Sequence, residues 1–201
     1  MEENSREYGQ QTFTLPHDVV PLPSEGRFYK NKKKSIKVGY LTAADENILM
    51  GGGDDITTLL LRNKIYEPDI RIDDLLEGDV EAILIFLRNT SFGPDIMVNA
   101  VDPTTGKVFQ TNVVLDALDI RKGDITPNED GTFSTVLPTS GKSVKLKLLT
   151  YGEGNEIQSI LDKYPVGRPA PRITLKLQRQ IVELDGNPDK RSEEHTSELQ
   201  S

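Results

Sequence analysis

Gly141-Lys142-Ser143 has the closing residues of a phosphate-binding loop, in which backbone N–H groups and a lysine cradle phosphate oxygens. That loop needs a glycine five positions before the Gly-Lys pair, and Val136 stands there. Gly106-Lys107 fails in the same way, with Val101 in the glycine position. Both groups read as hairpin turns. Gly51-Gly52-Gly53 before a helix start would offer unpaired N–H groups to an anion, but Asp54 and Asp55 follow and would repel it, which favours a helix-punctuation role. Asp54-Asp55 and Asp73-Asp74 supply adjacent carboxylates of the kind used for metal or acid/base work. Adjacent helix positions face different ways, and both pairs sit where acidic side chains favour a helix N-terminus.

Composition narrows the chemistry further. The chain has 201 residues, no Cys and two His. Without thiolates there is no disulfide, zinc knuckle, iron–sulfur cluster or Cys nucleophile. His195 lies in the C-terminal stretch 191–201, which reads as non-native, leaving His17 as the one histidine, and no Ser has an evident histidine partner, so the visible pattern offers no Ser-His-Asp arrangement. We therefore expect no enzyme, no metal and no cofactor. A formal net charge of -8, with 24 Lys+Arg against 32 Asp+Glu, argues against nucleic acid as a partner for the chain as a whole. No apolar run approaches the roughly 20 residues of a membrane span, the polar start Met1-Glu2-Glu3-Asn4-Ser5 is no signal peptide, and a cytoplasmic protein is expected.

The elements that would position any site follow from the hydrophobic pattern. Residues 1–20 are polar and lack period, and read as a flexible arm. Val20 to Tyr29 follows, with Pro21 and Pro23 enforcing extended backbone and Gly26 permitting a turn. A rigid extended segment with apolar side chains suits docking, so Leu22, Pro23, Gly26, Phe28 and Tyr29 are candidate protein-contact residues; an ordinary strand start is the alternative. Lys30 to Lys34 lacks interleaved aromatics and reads as a solvated hairpin tip before a second strand, Ser35 to Tyr40. Residues 21–94 thus form a hairpin and helices.

Thr42 and Asp45 open a helix that runs to Met50. Asp54-Asp55 open another through Lys64, with Ile56, Leu59, Leu60 and Asn63 on one face. Ile72 to Leu76 reads as a turn of helix closed by Gly78, and Asp79 as the cap of Val80 to Arg88, apolar nearly all round and so the most buried element. Asp95 to Val101 and Val108 to Val114 alternate as a hairpin, and Phe133 to Leu137 and Ser143 to Leu149 as a second. We expect an α+β fold, a helical part with an inserted antiparallel sheet of two hairpins over 95–149. Glu153 to Lys163 reads as a helix of a C-terminal part over 150–190; Arg172 to Leu184 fits a strand through Ile173, Leu175 and Leu177 or a helix through Ile173, Leu177, Ile181 and Leu184, and its length favours the helix. Residues 191–201 have no period and resemble the in-frame translation of a sequencing adapter; they would not be native, and the natural chain would continue past Lys190. They carry one Arg and three Glu, so without them the net charge is -6.

The order of several pieces is more informative than any one of them. Leu22-Pro23-Ser24-Glu25-Gly26 to Tyr29 is followed by Leu41-Thr42-Ala43-Ala44-Asp45-Glu46, the triple glycine, Leu75-Leu76-Glu77-Gly78-Asp79, Leu87-Arg88 and Ser91-Phe92-Gly93. Over residues 15–187 this resembles the baseplate hub assembly protein family of T-even-like contractile-tailed bacteriophages. The resemblance implies a viral, non-enzymatic role in building the tail baseplate hub through contacts with other phage tail proteins, in the host cytoplasm or the virion tail, as a structural protein or a chaperone. Family members often carry a Cys-Pro-x-Cys-Gly knuckle at the tip of the middle hairpin. Here Val101-Asp102-Pro103-Thr104-Thr105-Gly106 keeps the Pro and Gly and loses both sulfurs, so no zinc is expected. The family also implies that Ile181 to Gly186 leads into a further helix. Two other readings stay open: a chaperone for the tail tape-measure protein, and a small nucleic-acid-binding module using Lys30 to Lys34.

Overall fold

The computed structural model describes residues 16–51, 56–120, 125–165 and 169–188, and the protein is α+β. Strand β1 (His17–Pro21) pairs antiparallel with β2 (Ser35–Gly39). The register sets Val20 opposite Ile36, 6% and 0% exposed. Burial of that pair draws His17 to Val20 into a strand, where a polar arm was expected. Two helices follow, α1 (Ala43–Met50) and α2 (Ile56–Lys64). Asp45 closes the start of α1 by accepting the Thr42 N–H at 2.7 Å and its hydroxyl at 2.7 Å. The buried face of α2 is Thr58, Leu60, Leu61 and Lys64, while Leu59 is 46% exposed. The face predicted from Ile56, Leu59, Leu60 and Asn63 is therefore rotated, because Lys64 turns inward to pair with Asp45.

The turn before the long helix also differs from expectation. Ile72–Asp74 is a short 3-10 turn, Leu75 and Leu76 are extended, and helix α3 spans Glu77–Phe92. Gly78 is inside the helix, and Asp79 lies in its first turn instead of capping it. From Ala82 to Asn89 no residue of α3 is fully exposed. Its Val80, Ile83 and Leu87 join Val20, Leu22, Ile36, Val38, Leu60 and Leu61 in the main core, each large side chain contributing about 1.5–3 kcal/mol by burial.

Beyond α3 come three small bodies of structure. Strands β3 (Asp95–Val101) and β4 (Val108–Val114) form a two-stranded hairpin. Its turn is closed by the Asp102 carboxylate, which accepts the Thr104 N–H at 2.8 Å and the Thr105 hydroxyl at 2.7 Å. Strands β5 (Phe133–Val136) and β6 (Ser143–Leu146) make a second sheet, completed by β7 (Ile181–Leu184). The stretch 95–149 is thus not one inserted sheet: its hairpins belong to different sheets, and the third strand returns from the C-terminal part. Leu137, Val144 and Ile181 form a core of their own, which explains the capture of β7. Helix α4 (Tyr151–Asp162) starts with a capping box, the Thr150 hydroxyl accepting the Glu153 N–H at 3.3 Å and Glu153 accepting the Thr150 N–H at 3.2 Å. Helix α5 (Arg172–Gln180) stops where β7 begins, so Arg172 to Leu184 is half helix and half strand. The parts are joined where Tyr151 N–H donates to the Leu75 carbonyl at 2.7 Å and Glu77 N–H to the Leu149 carbonyl at 3.3 Å. Asp54, Asp55, most of the triple glycine and residues 191–201 lie outside the described residues.

Candidate functional site

The Leu22 to Tyr29 segment leaves β1 with the Leu22 N–H donating to the Lys34 carbonyl at 2.8 Å, then winds through successive turns. Glu25 and Gly26 have φ of 53° and 71°. At Gly26 a Cβ would lie 2.6 Å from the carbonyl oxygens of Lys32 and Lys33, so only glycine fits. These turns bring Ser24 and Tyr29 to the start of α3. There Asp79, 1% exposed, accepts the Ser24 N–H at 2.9 Å, the Ser24 hydroxyl at 2.6 Å and the Tyr29 hydroxyl at 2.6 Å. The Tyr29 oxygen in turn accepts the Leu76 N–H at 2.8 Å.

This node holds a buried carboxylate with three neutral donors, and among the described residues it has no ion-pair partner. The first turn of α3 adds the positive end of the helix dipole. Burial, then the hydrogen bond to Asp79, pushes the Tyr29 phenol far above its ordinary range. Ser24 is 8% exposed, and its hydroxyl donates to Asp79, which ties the segment to the start of α3. His17 is elsewhere, on β1, with its ring edge-on to Tyr66 at 5.9 Å.

The surface beside the node is a groove of about 360 Å³. Pro23, Phe28, Leu76, Ile125 and Leu148 give it an apolar floor, and Arg27, Glu77 and Lys176 stand on its rim. Arg27 donates to the Ile125 carbonyl at 3.4 Å and lies over the Phe28 ring at 6.0 Å, while Lys176 reaches Glu77 at 3.8 Å. Of the five residues expected to dock a partner, Leu22 (3% exposed), Gly26 and Tyr29 turn inward and are used by the fold. Pro23 and Phe28 are half-buried and face the groove.

The remaining candidates are dispersed. Asp73 and Asp74 border a larger polar hollow of about 660 Å³ with Arg71, Lys147, Glu153 and Glu156, and among the described residues no group of acidic or His side chains is placed to hold a metal. Asp73 packs against Gly152, where a Cβ would lie 2.9 Å from its own. Gly106 and Gly141 both have φ of 68°, as hairpin turns require. At the lysine-rich tip, Lys33 pairs with Glu67 at 2.5 Å and Lys32 donates to the Arg27 carbonyl at 3.3 Å, so part of that charge is internally engaged. Three buried charged side chains were not singled out in the sequence as site residues: Asp79, read there as a cap, and the Asp45–Lys64 pair, whose side chains are 4% and 5% exposed. Lys64 also donates to the Tyr40 carbonyl at 3.1 Å. The signal for Lys64 was its place one turn from Leu60 and Leu61, on the face that the core needs.

Neither a family model, nor a curated protein, nor a solved structure matches this chain. No described helix is long and apolar enough to cross a membrane.

Proposed function

We propose that this protein is a non-enzymatic assembly factor for the central hub of a bacteriophage tail baseplate, binding another tail protein in the Pro23–Phe28 groove. The observation that carries this reading is spatial. Leu22 to Tyr29 and Leu75 to Asp79, two of the ordered pieces behind the family resemblance, meet at the Ser24–Tyr29–Asp79 node. A locked backbone that presents an apolar, charge-rimmed groove suits capture of a protein segment with little ordering cost. Zinc has no part in this proposal: the Asp102–Thr105 hydrogen bond at 2.7 Å closes the turn where the family's knuckle would stand.

The test is co-expression of the full chain with each tail protein encoded beside it, read by co-elution. One of them should co-elute, and Phe28→Ala should weaken that complex at least tenfold without changing the melting temperature by more than a degree or two. Failure of every neighbour to bind, or a complex indifferent to Phe28→Ala and Pro23→Ser, would sink the proposal. Retention in purified particles would assign a structural role, and absence from them a chaperone role.

A further inference from the structure

The β3–β4 hairpin has no part in the groove. It forms a two-stranded sheet by itself, and none of the residues of Asp95–Val101 or Val108–Val114 is buried. A lone hairpin is marginal in water, and its edges offer N–H and C=O groups to any extended strand. Proteins usually guard such edges with lysine, proline or a bulge. Strand β4, Val108-Phe109-Gln110-Thr111-Asn112-Val113-Val114, has none of these and no charge at all, in a chain that is 28% charged with a net charge of -8.

The ladder shows which groups face outward. Leu115 N–H donates to the Pro94 carbonyl at 2.9 Å, and Asp102 N–H to the Lys107 carbonyl at 2.9 Å. Between these brackets the register makes Ile96–Val113, Val98–Thr111 and Ala100–Phe109 the hydrogen-bonded pairs. The backbone groups of Val108, Gln110, Asn112 and Val114 therefore point away from β3. The outer edge of β3 is partly closed, because Arg88 donates to the Asp95 carbonyl at 3.2 Å. That leaves β4 as the edge open along its whole length.

Its sequence is a palindrome in chemical class about Thr111: Val108 mirrors Val114, Phe109 mirrors Val113, and Gln110 mirrors Asn112. A two-fold axis through Thr111 would set apolar against apolar, amide against amide and Thr against Thr, with all four outward-facing residues in hydrogen-bonded pairs and no like charges opposed. We infer that the protein self-associates through β4, two copies joining their hairpins edge to edge into a four-stranded antiparallel sheet.

The absence of cysteine makes a clean test possible. In this arrangement Thr111 faces Thr111 of the partner subunit with Cα atoms about 4.5 Å apart, within the roughly 4.4–6.8 Å span of a disulfide. Phe109 instead lies about 13 Å from its own counterpart, four residues along the strand. Sedimentation equilibrium of the full chain should give a dimer. Under mild oxidation Thr111→Cys should cross-link at least ten times more completely than Phe109→Cys. Gln110→Pro removes an N–H that the hairpin itself does not use, and should raise the dimer dissociation constant at least tenfold with the circular dichroism spectrum retained. A monomer at every concentration, including one that binds only a foreign strand, overturns the inference. Cross-linking indifferent to position, or a dimer that a folded Gln110→Pro leaves intact, overturns it equally. If Gln110→Pro fails to fold, the two cysteine variants decide.

Discussion

Replacing Tyr29 by Phe removes one oxygen atom from the node between the Leu22 to Tyr29 segment and α3. That oxygen donates to Asp79 at 2.6 Å and accepts the Leu76 N–H at 2.8 Å. Loss of a hydrogen bond to a charged group costs about 1.5–3 kcal/mol, and a buried N–H left without an acceptor costs about 1–3 kcal/mol. The two are not fully additive, since they share the oxygen, and a net loss of about 3 kcal/mol is expected. With a urea slope of about 2 kcal/mol per M, the midpoint should fall by about 1.5 M. The pH dependence gives a second signature. The Tyr29 phenol is pushed far above its ordinary range in the folded protein, chiefly by burial, whereas an unfolded tyrosine ionises near pH 10. Its contribution is therefore fully present below about pH 10 and is lost as pH rises beyond that, because only the unfolded chain then gives up the proton. The variant should lack that share of the alkaline decline. Urea titrations at pH 7 and pH 11 test both points. A loss below about 1 kcal/mol at pH 7, or an unchanged alkaline slope, would refute the reasoning and return Tyr29 to the docking surface.

Other consequences are quicker to state. Lys64→Met strands the buried Asp45 carboxylate and should cost about 3–5 kcal/mol, whereas Asp45→Leu with Lys64→Met should recover most of it, as paired denaturation curves would show. Gly26→Ala forces a Cβ to 2.6 Å from two carbonyl oxygens at a φ of 71°; at least about 2 kcal/mol should be lost, read as a drop in melting temperature. The Lys33 ammonium beside Glu67 holds that carboxyl below its usual range. The resulting stability is present above about pH 4.3 and disappears as pH falls through the lowered folded value. Lys33→Gln should therefore lower the melting temperature at pH 7, and by progressively less as the pH is taken down below about 4.3.

Periodicity and turn chemistry were enough to place the α+β class, the β3–β4 hairpin with its Asp102 to Lys107 turn, helix α1 from its Thr42 cap and most of helix α4. Each of those signals is local: an alternation, a turn or a cap involves residues a few positions apart, and the backbone answers to them directly. The same locality explains the misreadings. Asp79 looked like a cap because an acidic residue after glycine often is one, but its acceptor capacity is filled by Ser24 and Tyr29, 55 and 50 residues away. Ile181 and Leu184 fit a helix with Ile173 and Leu177 when read along the chain, and only pairing with β6, which buries Ile181 against Leu137 and Val144, made Ile181 to Leu184 a strand. Leu59 and Lys64 exchanged sides because Asp45, on another helix, makes a buried ammonium affordable. The candidate docking segment divided on the same ground. Its residue types announced rigidity and apolar surface, while the turn at Glu25 and Gly26 chose which side chains face inward. The sequence by itself determined the α+β class, the two hairpins, most of the helices and the lack of thiolates in these residues. Only the tertiary structure decided that Leu22 and Tyr29 belong to the fold and that Pro23 and Phe28 line the groove, because burial is a property of the partners a residue meets and not of its neighbours along the chain.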